Sequence, residues 1–228
     1  MTNDWTRRAF LGAAGAAVTT AAVTSAQGAE GDKSIKIVAV SCSPRKGKTT
    51  SAALQACLDA AKAVSPRIEV ELIELGGLKI DGSIAAGIKP EPGQQDDFPQ
   101  IQAKLSDPAV AGIIIGSPTY FGSMSSLCKA FLERWMAFRK DSVMRNKVAG
   151  CLAVGGARNG GQELVLQQIQ AILFAQDMIL VGDGKPNCHR GATLWNNSQD
   201  DISKDEWGMG TAKALGRRVA EVALMIAR

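Results

Sequence analysis

The chain has few of the residues that build metal and nucleophilic sites. It contains one histidine, His189, and its five cysteines include no Cys-x-x-Cys pair. A single histidine excludes a three-histidine metal site and leaves one candidate for Ser-His-Asp or Cys-His chemistry. The odd number of cysteines argues against a full disulfide framework. Cys57 and Cys151 lie in apolar stretches, which predicts buried thiols, and no clustered metal ligands are visible.

Long runs of one kind of residue are also missing. The formal net charge of +4 is not accompanied by a Lys/Arg-rich run, so we expect no nucleic-acid-binding face. Outside the first thirty residues, no stretch is long and apolar enough to span a bilayer permanently. The 228 residues are 46% hydrophobic and 21% charged. This composition suits one folded domain and excludes disordered, collagen-like and coiled-coil chains.

The first thirty residues differ in composition from the rest. The string Thr6-Arg7-Arg8-Ala9-Phe10-Leu11 precedes a weakly apolar run over residues 12–23, and small residues follow. This is the order of an export signal, and the string resembles a twin-arginine signal. We therefore expect a signal over residues 1–29, cleavage after Ala26 or Ala29, and a periplasmic or otherwise exported domain over residues 30–228. The alternative is a tail that contains two arginines by chance.

Short apolar strands alternate with helical stretches through the rest of the chain. The predicted strands lie at residues 35–40, 67–75, 110–115, 148–154 and 178–181, and the predicted helices at 50–63, 99–105, 125–139, 161–174 and 205–227. Residues 76–98, rich in glycine and proline, predict a long loop. This alternation predicts an α/β fold with a doubly wound parallel sheet. Ligands bind at the carboxyl ends of such strands, so the loops after the first, third and fourth predicted strands should meet.

The first loop, residues 41–51, carries hydroxyls, cations and the start of a predicted helix. These groups form an anion site that is best matched to phosphate. Its candidate ligands are Ser43, Arg45, Lys46, Gly47, Lys48, Thr49 and Thr50.

Two phosphate motifs compete for this loop. Gly47-Lys48-Thr49 fits the end of the nucleoside triphosphate loop, but Cys42 stands where its first glycine should be. The third predicted strand also ends in Gly116-Ser117-Pro118 rather than in a magnesium-binding aspartate. The other motif is the G-S-P-R-x-G-x-T loop of flavodoxin-like flavoproteins, which matches from Ser43-Pro44-Arg45 to Thr49, again with Cys42 for the leading glycine.

The second loop (residues 116–125) and the third loop (residues 155–163) are typical of a site for a flat ring. Small residues let the main chain approach the ring, and an aromatic side chain can pack beside it. Candidates in the second loop are Ser117, Pro118, Thr119, Tyr120, Phe121, Gly122 and Ser123. Candidates in the third loop are Gly156, Ala157, Arg158, Asn159 and Gly160.

Three strings carry a resemblance to a known family. The segment Ser117 to Ser125 resembles the S-P-x-Y-F-G-S-M-S string of the NADPH-dependent FMN reductase and iron–sulfur flavoprotein branch of the flavodoxin-like superfamily. The helical segment Leu127 to Trp135 and the G-G-x-x-x-G-G-Q-E string of the third loop are similar to the same family. The resemblance covers residues 35–182. It implies a five-stranded flavodoxin-like sheet in the order 2-1-3-4-5, and FMN bound by the three loops with Arg158 or Asn159 at the pyrimidine edge of the ring.

The resemblance also implies an activity. We expect an exported FMN-dependent oxidoreductase that receives a hydride or two electrons, with NAD(P)H as a transient donor, and reduces a small acceptor such as a quinone, a flavin or a metal species. One alternative is a non-catalytic FMN electron carrier that docks a redox partner, and another is a nucleoside triphosphate-binding protein. No catalytic side chain can be nominated. Family members often form dimers, which makes residues 125–139 a candidate homodimer interface.

Two departures from the family pattern affect these expectations. Iron–sulfur flavoproteins carry a cysteine cluster between the second and third strands, whereas residues 76–98 contain no cysteine. We therefore expect no iron–sulfur cluster. The second departure is Cys42 in the first loop, which we interpret as a passive thiol.

Overall fold

A mostly parallel sheet forms the centre of the chain in a computed structural model that describes residues 33–227. The export signal predicted over residues 1–29 lies outside the described residues. The strands are β1 (Ile35–Ser41), β2 (Ile68–Glu74), β3 (Val110–Tyr120), β4 (Ser123–Met124), β5 (Val148–Gly155), β6 (Ile179–Leu180) and β7 (Ala192–Trp195). Their main order is β2-β1-β3-β5-β6. The predicted α/β class and the order of the five parallel positions are confirmed.

Helices cover both faces of this sheet. They are α1 (Thr49–Lys62), α2 (Phe98–Leu105), α3 (Ser126–Glu133), α4 (Met136–Arg139), α5 (Gln162–Phe174) and α6 (Glu206–Ile226). Side chains alternate between the two faces of a strand, so Val38 joins the core under α2, α3 and α5 while Ile37 joins the core under α1 and α6. Within residues 33–227 we find no helix with the length and apolarity to cross a membrane.

The fifth position of the sheet is shared by two short strands. β6 pairs with the start of β5 through Val148 and Ile179, and β7 pairs with its end through Leu152 and Ala192. Both pairings are parallel, and residues 181–191 leave the sheet between them. The sequence predicted only the first of these strands, because β7 is a four-residue run that follows a turn-rich segment. β7 brings the residues that follow it to the carboxyl end of β5.

Two further elements differ from their predicted bounds. The helix predicted at residues 125–139 divides into α3 and α4, and the long loop at residues 76–98 contains a 3-10 turn at Gly82–Ala86. Arg134, at the division, donates to both carboxylate oxygens of Asp96 at 2.9 and 2.7 Å and to the carbonyl of Asp81 at 3.2 Å. Its guanidinium carbon lies 4.6 Å from the centroid of the Phe98 ring. These contacts attach the long loop to the sheet-covering helices.

Candidate functional site

A cleft of about 530 Å³ opens at the carboxyl ends of β1, β3 and β5. All three predicted loops contribute to this main cleft, together with residues that follow β7. Its lining comprises Arg45, Thr49, Pro118, Thr119, Tyr120, Val154, Gly155, Gly156, Asn196, Ser198, Gln199 and Asp200. The fold thus brings together the loops that the sequence placed at one sheet edge.

The first loop turns sharply into α1. The helix begins at Thr49 without a side-chain cap from Lys48, so its first-turn amides and positive dipole end face the loop. The backbone N–H of Gly47, at φ +68°, donates to Glu74 Oε1 at 2.7 Å. The Ser51 hydroxyl donates to the same carboxylate. Glu74 therefore stabilises the loop from the end of β2.

Gly76 allows the first loop to cross closely over the end of β2. A Cβ on Gly76 would lie 3.0 Å from the backbone nitrogen of Lys46 and 3.0 Å from the carbonyl oxygen of Ser43. The Ser43 hydroxyl in turn accepts a hydrogen bond from the backbone N–H of Arg45 at 3.1 Å. The conformation of the first loop is thus determined by its close contact with Gly76 and by its own internal hydrogen bond.

Arg45 crosses from the first loop to residues 196–200, which we name the 196–200 segment. Its Nη1 and Nη2 lie 2.7 Å from the two carboxylate oxygens of Asp200. Lys48 Nζ lies 3.9 Å from the same carboxylate. The hydrogen bond from Arg45 lowers the pKa of Asp200 below its usual value. No motif in the sequence marks this segment, whose polar composition resembles that of an ordinary surface loop.

The second loop is a two-residue hairpin. β3 runs through Tyr120 and pairs antiparallel with β4, leaving Phe121 and Gly122 as the central residues at φ +49° and +70°. Two positive φ values are typical of a type I′ turn, which suits the twist of a hairpin. Gln168 of α5 accepts from the Ser123 hydroxyl at 2.9 Å. The Phe121 side chain is fully exposed at the tip.

The Ser117 side chain lies inside the protein and does not line the main cleft. Its buried hydroxyl donates to the carbonyl of Pro118 at 2.8 Å and accepts from the backbone N–H of Ser125 at 3.0 Å. Ser125 caps α3 and donates to the carbonyl of Cys42 at 2.7 Å. This chain of bonds connects the second loop with the first. Cys42 is buried, and burial raises the pKa of its thiol, so it is protonated at neutral pH.

Thr119 carries a polar atom that the protein leaves without a partner. Thr119 lines the main cleft, but its hydroxyl oxygen is buried and has no hydrogen-bond partner among residues 33–227. A buried hydroxyl without a partner costs about 1–3 kcal/mol. Rotation of the side chain toward the cleft would let a ligand with a polar edge bond to this hydroxyl and remove that cost.

Gln162 shapes the third loop. Its buried side-chain amide donates to the carbonyls of Ala157 at 2.6 Å and Leu194 at 3.1 Å, and its oxygen accepts from the backbone N–H of Gly160 at 2.9 Å. A Cβ on Gly155 would lie 2.5 Å from the Gln162 amide nitrogen. Gln162 belongs to the G-G-Q-E string of the third loop, but it is not among the predicted site residues.

Arg158 is engaged away from the main cleft. It pairs with the buried carboxylate of Asp205, and its guanidinium carbon lies 5.6 and 5.1 Å from the ring centroids of Trp195 and Trp207. Arg158 and Asn159 line a neighbouring cleft of about 360 Å³. Their contact with the pyrimidine edge of a flavin stays a prediction. Asp205 also accepts from the backbone N–H groups of Trp195 and Gly208 at 2.9 Å each.

The candidate residues therefore divide into two groups. Those on the wall of the main cleft are Arg45, Thr49, Pro118, Thr119, Tyr120 and Gly156. The remaining candidates belong to the surrounding loops: Ser43, Lys46, Gly47, Lys48, Thr50, Ser117, Phe121, Gly122, Ser123, Ala157, Arg158, Asn159 and Gly160. His189 lies in the 181–191 excursion, where its Nδ1 is 3.3 Å from Asp183 Oδ2.

Comparison with known proteins identifies a matching family and several similar proteins. Residues 35–193 match the family of NADPH-dependent FMN reductases. An iron–sulfur flavoprotein of Methanocaldococcus jannaschii is 36% identical over 84% of this chain and 99% of its own length. An NAD(P)H dehydrogenase (quinone) of Archaeoglobus fulgidus is 34% identical over 49% of this chain and 58% of its own length.

A solved structure shows the same architecture. The WrbA-like flavodoxin of Agrobacterium tumefaciens superposes with a TM-score of 0.59 at 21% identity, covering 83% of this chain and 98% of that one. This likeness supports the flavodoxin-like fold, and the family match extends through the three loops of the main cleft. The chain therefore belongs to the NADPH-dependent FMN reductase family and is an oxidoreductase with the flavodoxin-like fold.

Proposed function

We propose that the protein is an exported FMN-dependent oxidoreductase. It takes a hydride or two electrons from NAD(P)H and passes them to a small acceptor such as a quinone, a flavin or a metal species. The observation that carries the proposal is the main cleft itself, where three loops meet at the carboxyl ends of parallel strands beside the amino terminus of α1. Family membership favours a flavin over a nucleoside triphosphate at this position.

The residues of the main cleft fit the two ends of FMN. The amino terminus of α1, with Arg45 and Lys48 beside it, suits a phosphate, because free amides and cations stabilise an anion there. Thr119, Tyr120 and Gly156 suit the ring, since they offer a hydroxyl, an aromatic face and exposed backbone. FMN, when bound, supplies hydride- and electron-accepting chemistry. The residues of the main cleft would then bind and orient the cofactor.

The proposal also specifies the electron donor and the electron acceptor. The names of the relatives support a nicotinamide donor and a quinone acceptor. Export directed by the predicted signal at residues 1–29 would leave the protein little reduced nicotinamide, so the donor is the part of the proposal to test first. We also propose a homodimer whose interface is formed by residues 125–139.

Anaerobic reduction and reoxidation test this activity. The FMN-loaded chain is mixed with NADH or NADPH while the flavin absorbance is followed, and menadione, free FMN or a ferric chelate is then added. We expect bleaching by one of the nicotinamides and multiple turnovers with at least one acceptor. A protein that dithionite bleaches but that neither nicotinamide reduces would contradict the proposed donor. Reoxidation only by a partner protein would favour the electron carrier.

A further inference from the structure

The Asp200 carboxylate lies against Arg45 and Lys48, two cationic side chains of the first loop that could otherwise bind another anion. Its oxygens each lie 2.7 Å from a terminal nitrogen of Arg45, and Lys48 Nζ is 3.9 Å away. The terminal edge of a guanidinium binds one oxyanion in this two-bond manner. Another anion that takes the same edge of Arg45 must displace Asp200.

The 196–200 segment is shaped to bring Asp200 to this position. It is attached to the sheet by a hydrogen bond from the backbone N–H of Asn196 to the carbonyl of Gly155 at 2.9 Å. Asn197, Ser198 and Asp200 all have left-handed backbone conformations, at φ +48°, +54° and +55°. Asparagine and aspartate adopt this conformation more readily than most residues, whereas for serine it is costly. Three of the four residues from 197 to 200 therefore have this conformation, which determines the path of the chain that leads to Asp200.

Folding stability does not explain the ion pair. Arg45 and Asp200 are both substantially exposed, with side-chain exposures of 48% and 36%, and exposed ion pairs add little to stability. The neighbouring Asp201 bonds only locally, to the backbone N–H of Ser203 at 2.8 Å and to its hydroxyl at 3.0 Å. Asp200 differs from Asp201 because its carboxylate reaches across the main cleft to the first loop.

We infer that Asp200 is a specificity-determining residue that competes with the flavin phosphate for Arg45 and Lys48, and so weakens the preference of the cleft for FMN over riboflavin. This inference rests on the proposed function, since it assumes that the first loop binds the phosphate of FMN. A phosphate monoester carries a charge of about −2 near neutral pH. It can bind Arg45 and Lys48 only by displacing the Asp200 carboxylate, which is also negatively charged. Riboflavin has no phosphate, so it leaves the Arg45–Asp200 pair intact.

The test compares two flavins on matched variants of the full chain. Dissociation constants for FMN and riboflavin are measured by flavin fluorescence in a phosphate-free buffer, for the wild type, Asp200→Asn and Asp201→Asn. The Asp201 variant makes the same change in net charge without touching either cation, so it reports the general electrostatic effect. Circular dichroism melting shows whether each variant is folded.

We expect Asp200→Asn to lower the dissociation constant for FMN by about five-fold or more, with little change for riboflavin. Asp201→Asn should leave the ratio of the two constants unchanged, and Arg45→Gln should reduce the effect of Asp200→Asn, because only Lys48 then remains for the two anions to share. Weaker FMN binding in Asp200→Asn, or an unchanged ratio, would overturn the inference while the proposed function stands. A wild-type chain that binds neither flavin would overturn both.

Discussion

Gly161 and Gly122 bring the second and third loops into direct backbone contact. A Cβ on Gly161 would lie 2.8 Å from the Cα of Gly122, and Gly161 itself has φ +96°. Both facts exclude a side chain at this position without movement of one loop. The relative placement of the two loops therefore depends on a pair of glycines.

Gly161→Ala should separate these loops. We expect a loss of about 1–3 kcal/mol in the free energy of unfolding from overpacking, and a weaker affinity for FMN. Urea unfolding and FMN titration measure the two effects. The matched control is Gly210→Ala in α6, where a Cβ would meet nothing within 4 Å and alanine favours the helix. Equal behaviour of the two variants would show that the contact is unimportant.

Thr119→Val tests the unpartnered hydroxyl. Valine has nearly the same shape, so the cofactor-free protein should be as stable as the wild type or slightly more stable. FMN affinity should fall about two- to ten-fold, the worth of one hydrogen bond. Thr211→Val gives the opposite pattern, because the Thr211 hydroxyl is buried and donates to the carbonyl of Gly208 at 2.7 Å. It should lower the melting temperature without changing FMN affinity. A large stability loss in Thr119→Val would mean that its hydroxyl has a partner within the protein.

The Arg134–Asp96 pair predicts a pH dependence of stability. The hydrogen bond from Arg134 lowers the pKa of Asp96, so the ionised carboxylate stabilises the fold above its unfolded pKa of about 3.9. That contribution is lost as the pH falls through the lower, folded pKa. Asp96→Asn should cost about 1–3 kcal/mol at pH 7, and the difference from wild type should shrink below pH 4. Asp177→Asn is the control, because its pair with Arg145 is well exposed. A difference that is constant with pH would contradict this account.

Export is predicted to depend on the arginine pair of the first thirty residues. Replacement of Arg7 and Arg8 together by lysine keeps the charge but removes the twin-arginine string. We expect the precursor to accumulate inside the cell, whereas the wild type appears as a shorter, processed chain outside the cytoplasm. Fractionation with mass determination of the mature amino terminus measures both. Unprocessed wild-type chain in the cytoplasm would contradict the prediction.

Much of the fold follows from local sequence. β1, β3 and β5 are nearly continuous apolar runs, and buried parallel strands require such runs. The loops that follow them were identified because small and hydroxyl-bearing residues come directly after each strand. These signals need no knowledge of distant residues.

The parts that could not be predicted depend on contacts between distant residues. β7 is four residues long and joins β5 only after an eleven-residue excursion from the sheet. Arg158 turns toward Asp205, forty-seven positions further along the chain, so its local string gives no indication of that contact. Asp200 meets Arg45 across 155 positions. No periodicity or motif predicts such pairs.

The most direct test of the central claim is the absorption spectrum of the natively purified chain, with its released cofactor identified and its iron and acid-labile sulfide measured. We predict flavin bands, close to one FMN per chain, and no iron, because residues 76–98 contain no cysteine and four of the five cysteines, all within the described residues, are buried. Stoichiometric iron and sulfide would contradict the predicted absence of a cluster. A colourless protein that also fails to bind added FMN would contradict the central claim.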